Sequence, residues 1–396
     1  MKKNKFYFKK QIIITFLIQF LYIIYDIYIP KKYWKQVDTT QYIQYIEDCK
    51  AHKKYDRTKI ISNNPYLTVC IPAFNMEKYI ERAILSILNQ SMQDFEIIVI
   101  DDNSNDHTYN ILKSLQLEEE RIQIIKHEES KGTYYSRVEA ILKSKGKFII
   151  LLDPDDMFLN PELFEKLYNY NQIYNLDIIE FLVYNQFEGR RNIIYDITHY
   201  RNHNHNFSKN IIYQPELANI LYKSPVNQRP SRTICRNIIW NKMFRKKVFL
   251  DMNKYIGYDY FNQYVIRADD MLMNLVTHQF ANNYSNLLEP GYMYNLRVVS
   301  LSRGNGGIEL ERIRTKNMLQ YFYFFYKLVK QFEKTRKYLY YEMKFYTNIF
   351  IAIKDLNFSC YEEEVKEFFD KLMNDCYPTK YFRRFMDNIL LYYEEK

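Results

Sequence analysis

Residues 148–156 read FIILLDPDD. Five apolar residues run straight into an Asp-Pro-Asp-Asp turn. A short apolar run bounded by turn residues is the pattern of a strand buried on both faces. Working upstream, Tyr134–Lys143 predicts a helix, Ile122–Lys126 a short strand, Asp106–Leu117 a helix, and Phe95–Ile100 (FEIIVI) another buried strand. Met76–Gln90 carries apolar residues at 80, 83, 84, 87 and 88, one face of a helix. Asn75 is its expected N-cap, with Glu77 in the first turn. Tyr66–Ile71 (YLTVCI) reads as the first strand, stopped by Pro72. Downstream, a helix over 161–174 and a strand over 177–184 continue the alternation. Strands spaced by helices imply βαβ units and a mostly parallel sheet flanked by helices.

In such a sheet ligands bind beyond the carboxyl ends of the strands. Three polar clusters fall there: Pro72-Ala73-Phe74-Asn75, Asp101-Asp102-Asn103-Ser104, and Asp153-Pro154-Asp155-Asp156. Each alone is an ordinary turn. Together, at successive strand ends, they point to one site. No glycine-rich phosphate loop is present. Carboxylates repel a phosphorylated ligand unless a hard divalent cation bridges the two.

The chain has 396 residues, 47% hydrophobic and 26% charged, an ordinary globular balance that excludes disorder. Net charge is +9, which invites a nucleic-acid or membrane-surface partner. Its location decides between them. Eight lysines in residues 1–35, opposed only by Asp26, hold +7, leaving +2 for the other 361 residues. The near-neutral body argues against nucleic acid. The charge brackets residues 11–29, QIIITFLIQFLYIIYDIYI, which are long enough to cross a bilayer. An uncleaved anchor is the preferred reading over an interfacial helix or a signal peptide, and the five preceding lysines favour a type II orientation in the secretory pathway. Five widely spaced cysteines, with no C-x-x-C pair, indicate neither zinc nor a disulfide framework. Cys70, inside an apolar strand, reads as a buried thiol. The sequons at Asn89, Asn206, Asn283 and Asn357 are as many as chance gives in so Asn-rich a chain.

The segments LTVCIPAFNMEKYIERAILSILNQS, DFEIIVIDDNSNDHT and KGTYYSRVEAILKSKGKFIILLDPDDMF cover about residues 66–160. This set resembles the family 2 glycosyltransferases of GT-A (Rossmann-like) fold. The likeness continues more loosely through Trp240–Phe244, Ala268-Asp269-Asp270 and Tyr294–Arg303. The resemblance implies an enzyme that moves a sugar from a nucleotide-diphosphate sugar, UDP-linked in most relatives, to a hydroxyl acceptor with Mg²⁺ or Mn²⁺. It implies that Pro72, Phe74 and Asn75 flank the nucleotide, with Phe74 stacked on the base and Asp102 accepting a hydrogen bond from it. Arg137 would touch ribose or diphosphate. Asp153 and Asp155 match the family's D-x-D pair, with Asp156 adjacent, for ribose and metal. Asp270 or its neighbour Asp269 would be the general base. The usual Glu-Asp of that motif is here Ala268-Asp269-Asp270, so the choice stays open.

The division expected is a basic-flanked membrane segment (1–35), a stem (36–64), a nucleotide-sugar half (65–185), an acceptor and base half (186–309) and a helical C-terminal extension (310–396). The family's processive members carry Q-x-x-R-W and a bundle of membrane helices; neither is in this sequence, so a non-processive enzyme acting on a carbohydrate, glycoprotein or glycolipid is expected. Lys242 reads as a phosphate or acceptor contact or as an exposed lysine. His203 and His205 read as a solvated loop, and Tyr321–Tyr326 as a buried helix face. A catalytically inactive, membrane-tethered nucleotide-sugar-binding scaffold is the competing reading.

Overall fold

The computed structural model describes residues 62–187, 194–196, 211–213, 238–256 and 269–296. The membrane segment, most of the stem, His203, His205, Ala268 and the C-terminal extension lie outside the described residues. So do the sequons at Asn206 and Asn357. Among the described residues no helix is long and apolar enough to cross a membrane.

The strands are β1 (Leu67–Ala73), β2 (Phe95–Asp101), β3 (Ile122–Lys126), β4 (Phe148–Leu151), β5 (Met157–Phe158), β6 (Ile178–Phe187), β7 (Ile194–Asp196), β8 (Ile212–Tyr213), β9 (Lys242–Arg245) and β10 (Asn283–Leu296). The helices are α1 (Ile80–Leu88), α2 (Thr108–Glu118), α3 (Thr133–Lys143), α4 (Leu163–Tyr174), α5 (Lys246–Ile256) and α6 (Asp269–Phe280). One sheet runs in the order β3-β2-β1-β4-β9-β6-β10-β5. Its first four strands are parallel, as the alternation predicts. Beyond β4 the sheet changes character. β9 lies antiparallel to both β4 and β6, and β10 is parallel to β6 but antiparallel to β5 and β8. The sheet is therefore mixed rather than mostly parallel. Only the segments joined by crossover helices before β4 are constrained to run parallel.

The parallel strands are apolar on both faces because helices cover both. Val69, Ile71, Ile97, Val99 and Ile150 share a core with Ile84, Ile87 and Leu88 of α1, Leu112 of α2 and Leu167 of α4. α3 packs on β1 and β2 from the other side. Cys70 is fully buried, as expected, and burial pushes its thiol well above the ordinary range.

Two local expectations are corrected. Pro72 does not stop the first strand but lies inside β1, opposite Ile100 of β2. It is tolerated because the pairing of β1 with β4 ends at Cys70, so no partner there needs its missing N–H. Asn75 is not a helix N-cap. It sits at φ 54° in a turn before α1, a conformation asparagine tolerates better than most side chains. Pro290 and Gly291 interrupt β10 at a register irregularity against β6. There the Gly291 carbonyl accepts a bond from Leu159 N (2.8 Å), and a Cβ on Gly291 would meet Leu163 at 2.4 Å.

Candidate active site

The loops after β1 and β2 are stitched to each other. Asn75 N donates to Ser104 Oγ (3.0 Å), Met76 N to Thr108 Oγ1 (2.7 Å) and Glu77 N to Asp106 Oδ2 (3.1 Å). In return Asn105 N donates to Asn75 Oδ1 (2.8 Å) and His107 N to Glu77 Oε2 (3.1 Å). The Asn-Ser-Asn-Asp cluster thus builds a rigid wall, beside which Phe74 stands half-buried at the end of β1.

Asp102 is buried, but its carboxylate is engaged by its own chain. Oδ1 accepts from the His127 ring (2.6 Å) and Lys131 N (2.7 Å); Oδ2 accepts from Ser130 Oγ (2.7 Å) and Gly132 N (2.9 Å). Burial opposes its charge, and these bonds outweigh it, holding the carboxyl below its ordinary range. Four bonds fill the acceptor capacity of a carboxylate. Asp102, expected to accept a bond from a base, here holds the 127–132 loop. Its neighbour Asp101, which the sequence reading passed over, is fully buried and takes only Ser104 N (3.3 Å) on Oδ1. Its Oδ2 has no hydrogen-bond partner among the described residues. A buried acceptor without a protein partner is unusual in a folded chain.

α3 carries Arg137 into the centre. Its guanidinium donates to Asp153 Oδ1 (2.6 Å), to Asp269 Oδ2 (2.5 Å) and to Asp270 Oδ1. Residues from the end of β4 and from the first turn of α6 thus meet on one cation. The side chains of Arg137, Asp269, Asp153 and Asp270 are 4%, 9%, 20% and 27% exposed, so Asp270 is the most accessible of the three acids. Burial raises the Asp270 carboxyl; Arg137 opposes the rise, Asp269 and Asp153 reinforce it, and it reaches about 7. Asp269 is raised chiefly by burial, with Arg137 opposing. Arg137 Nε is buried without a hydrogen-bond partner among the described residues.

Asp156, expected beside the metal, is bound to β10. Its Oδ2 accepts from Tyr292 Oη (2.6 Å) and its Oδ1 from Asn295 N (2.7 Å), both on β10. Burial, then the charges of Asp155 and Asp153, push its carboxyl well above the usual range. It anchors the acidic turn from below, helped by Asp153 N donating to Tyr292 Oη (3.2 Å). Trp240 stacks on Tyr292 (ring centroids 4.5 Å apart) and on Tyr294 (4.9 Å), which fixes that support. Asp155 is half-buried, with its carbonyl taken by Arg82 (2.5 Å).

No group of three carboxylate, histidine or cysteine side chains suited to a metal occurs among the described residues. That donor set is wrong for a protein-caged ion such as Ca²⁺. It fits Mg²⁺ or Mn²⁺ held by one or two carboxylates, here Asp153 and Asp155, with phosphate oxygens and water completing the shell.

Lys242 is neither exposed nor near the cluster. It is fully buried, donating to the Ile238 carbonyl (2.6 Å) and Asn241 Oδ1 (3.0 Å), with Glu180 Oε2 at 3.4 Å. Tyr284 Oη donates to Glu180 Oε2 (2.8 Å). The lysine of this motif is an internal brace between β9 and β6.

The sheet, its switch from parallel to mixed at β4, and the acids gathered at that edge define a GT-A-like α/β domain. Residues 68–251 match the family described as Glycosyl transferase family 2. Over 111 residues it is 36% identical to a GalNAc(5)-diNAcBac-PP-undecaprenol beta-1,3-glucosyltransferase of Campylobacter jejuni, covering 28% of this chain and 36% of that protein. An uncharacterised glycosyltransferase of Bacillus subtilis is 25% identical over 238 residues, 60% of this chain and 63% of its own length. Among solved structures, S. aureus TarS residues 1–349 in complex with UDP aligns with a TM-score of 0.45 and 20% identity over 65% of each chain. The chain spans about a third of the length of the first of these relatives.

Proposed function

We propose that the protein is an inverting, non-processive glycosyltransferase that moves a sugar from a nucleotide-diphosphate sugar, UDP-linked by preference, to a hydroxyl of a carbohydrate, glycoprotein or glycolipid. The observation that carries this reading is the meeting of Asp153, Asp269 and Asp270 on Arg137, because donor chemistry and base chemistry must lie within one sugar's reach. Phe74 and Pro72 flank the nucleobase. Asp153 and Asp155 are the residues that would hold Mg²⁺ or Mn²⁺. The cation, when bound, offsets charge on the departing nucleoside diphosphate. Asp270 takes the proton of the acceptor hydroxyl as its oxygen attacks C1 of the sugar from the face opposite the leaving group. Its greater exposure favours it over Asp269, and its raised carboxyl suits a base working near neutral pH. Arg137 orients both acids and opposes the rise that burial imposes on their carboxyls.

Residues 11–29 are read as a type II membrane anchor in the secretory pathway that places this domain near membrane-bound acceptors. The scaffold reading is less favoured, because a binding protein has no use for a raised, accessible carboxylate at the sugar position.

The test is a donor screen on the full chain, reading nucleotide release with and without Mn²⁺, for the natural sequence and for Asp270→Asn and Asp155→Ala. The natural chain should turn over a nucleotide sugar only with the cation. Asp270→Asn should lose at least about a hundredfold in kcat, the usual weight of a general base, while keeping donor affinity. Tight donor binding with no turnover by the natural chain would establish the scaffold instead.

A further inference from the structure

His127 lies at the end of β3 with both ring nitrogens on carboxylates: Nδ1 is 2.6 Å from Asp102 Oδ1 and Nε2 is 2.7 Å from Glu139 Oε2. Its side chain is 3% exposed. A neutral imidazole has one N–H and could serve only one of these acceptors; two carboxylates require the doubly protonated ring. From this geometry we infer that His127 is a positioning residue of the donor site, an imidazolium clamp that ties the end of β2 to α3 and so sets where Arg137 stands. The inference rests on the transferase reading for its kinetic consequence, though not for the clamp itself.

The connections are short. Asp102, at the end of β2, receives His127 on one side and the amides of Lys131 and Gly132 on the other. Those two amides lead into α3. Glu139 is on α3 itself, two residues from Arg137. The imidazolium thus joins the loop before α3 and the body of α3 to one strand end. Gly132, at φ 88° and ψ 163°, occupies backbone space open essentially to glycine, so the loop has little freedom to compensate. The other groups facing the ring do not replace its charge. Tyr135 meets it edge-on at 5.5 Å, and the Lys131 ammonium lies over the Tyr135 ring at 4.6 Å. The flanking main chain is occupied as well, His127 N donating to the Asp101 carbonyl (2.9 Å).

Burial alone disfavours the imidazolium, but the bonds to Asp102 and Glu139 outweigh it and raise the pKa above the ordinary value. The clamp is therefore fully closed below that ordinary value and opens as pH rises through the raised one. Donor binding should weaken over the same range.

Histidine-resolved NMR on the full chain without substrate, together with amide hydrogen exchange, tests the clamp directly. At pH 7 both nitrogens of His127 should be protonated; a neutral ring would overturn the inference. Glu139→Gln removes one charge and leaves the Asp102 contact. It should lower the titration point of His127 and shift the alkaline limb of donor affinity to lower pH by the same amount. His127→Gln should weaken donor affinity roughly ten- to hundredfold, the span of one lost charge-assisted hydrogen bond, and abolish that limb. It should also speed exchange of the Lys131 and Gly132 amides. If His127→Gln misfolds, Glu139→Gln still decides, because a merely structural histidine would not carry the limb with it. An unmoved limb in Glu139→Gln refutes the proposal. Should the chain bind and transfer no sugar, the transferase reading fails, while protonation and exchange still uphold or sink the clamp.

Discussion

Replacing Arg137 by methionine keeps much of the side chain's bulk and removes its charge. Three carboxylates would then face one another in a largely buried space, with no cation between them. Removing one partner of a buried ion pair costs about 3–5 kcal/mol, and that is the loss expected at pH 8. The pH dependence makes the prediction specific. Asp270 titrates at about 7 in the native protein, well above the ordinary 3.8. A carboxyl raised on folding contributes stability that is complete below its unfolded value and is lost as pH climbs to the folded one. In the natural chain this loss ends near pH 7. Arg137 is the group that holds the Asp270 value down, so in Arg137→Met the loss must continue to higher pH. Urea titrations of both proteins at pH 6, 7, 8 and 9 should show a gap in unfolding free energy that is nearly constant below pH 7. Above it the gap should widen by about 1.4 kcal/mol per pH unit for each carboxyl still titrating. A gap that stays flat from pH 6 to 9, or one below about 1 kcal/mol throughout, would refute the reading of Arg137 as the counter-ion of this cluster.

Gly132→Ala should destabilise the fold by about 1–3 kcal/mol, because φ 88° and ψ 163° are strained for any side chain, and thermal unfolding would register it. Tyr292→Phe removes the donor to buried Asp156 and the acceptor of Asp153 N. It should cost about 1–3 kcal/mol by denaturant titration and weaken metal-dependent donor binding, since the acidic turn loses its support. Lys242→Met alone leaves Glu180 buried without its cation and should cost about 3–5 kcal/mol; pairing it with Glu180→Gln should recover a substantial part, a non-additivity that a double-mutant cycle would measure.

The parallel half of the fold was legible because its physics is local. β2, β3 and β4 are short apolar runs separated by helical periodicity, and each falls within a residue or two of its expected bounds. In the mixed half β6 was legible too, expected over 177–184 and found at Ile178–Phe187, but β9 and β10 were not. β9 is four residues, Lys-Met-Phe-Arg, whose lysine is buried only because Glu180 and the Ile238 carbonyl await it from elsewhere in the chain. β10 alternates poorly and contains Pro-Gly, ordinarily a sign of strand termination. It runs on as a strand because an irregularity absorbs the Pro-Gly and β6 pairs on either side of it. Strands distant along the chain decide these segments, and no window of sequence contains them.

The site divides along the same line. Residue type and strand-end position pointed to the acids, since a carboxylate after an apolar strand has few reasons to be there. Sequence could not partition those acids among their duties, because partition depends on which donors arrive from other elements. Asp101 and Asp102 are adjacent and chemically identical, yet one is saturated by the loop before α3 and the other keeps an open oxygen. Asp153 and Asp156 close one turn, yet Arg137 claims the first and Tyr292 the second. The donors that make these choices were the residues passed over: His127 and Tyr292 carry no motif of their own. A carboxylate with its acceptor sites filled is architecture, and one with an open site or a shared cation is available for chemistry. Asp102 has its acceptor sites filled, whereas Asp153, Asp269 and Asp270 share Arg137, a meeting that no single stretch of sequence contains.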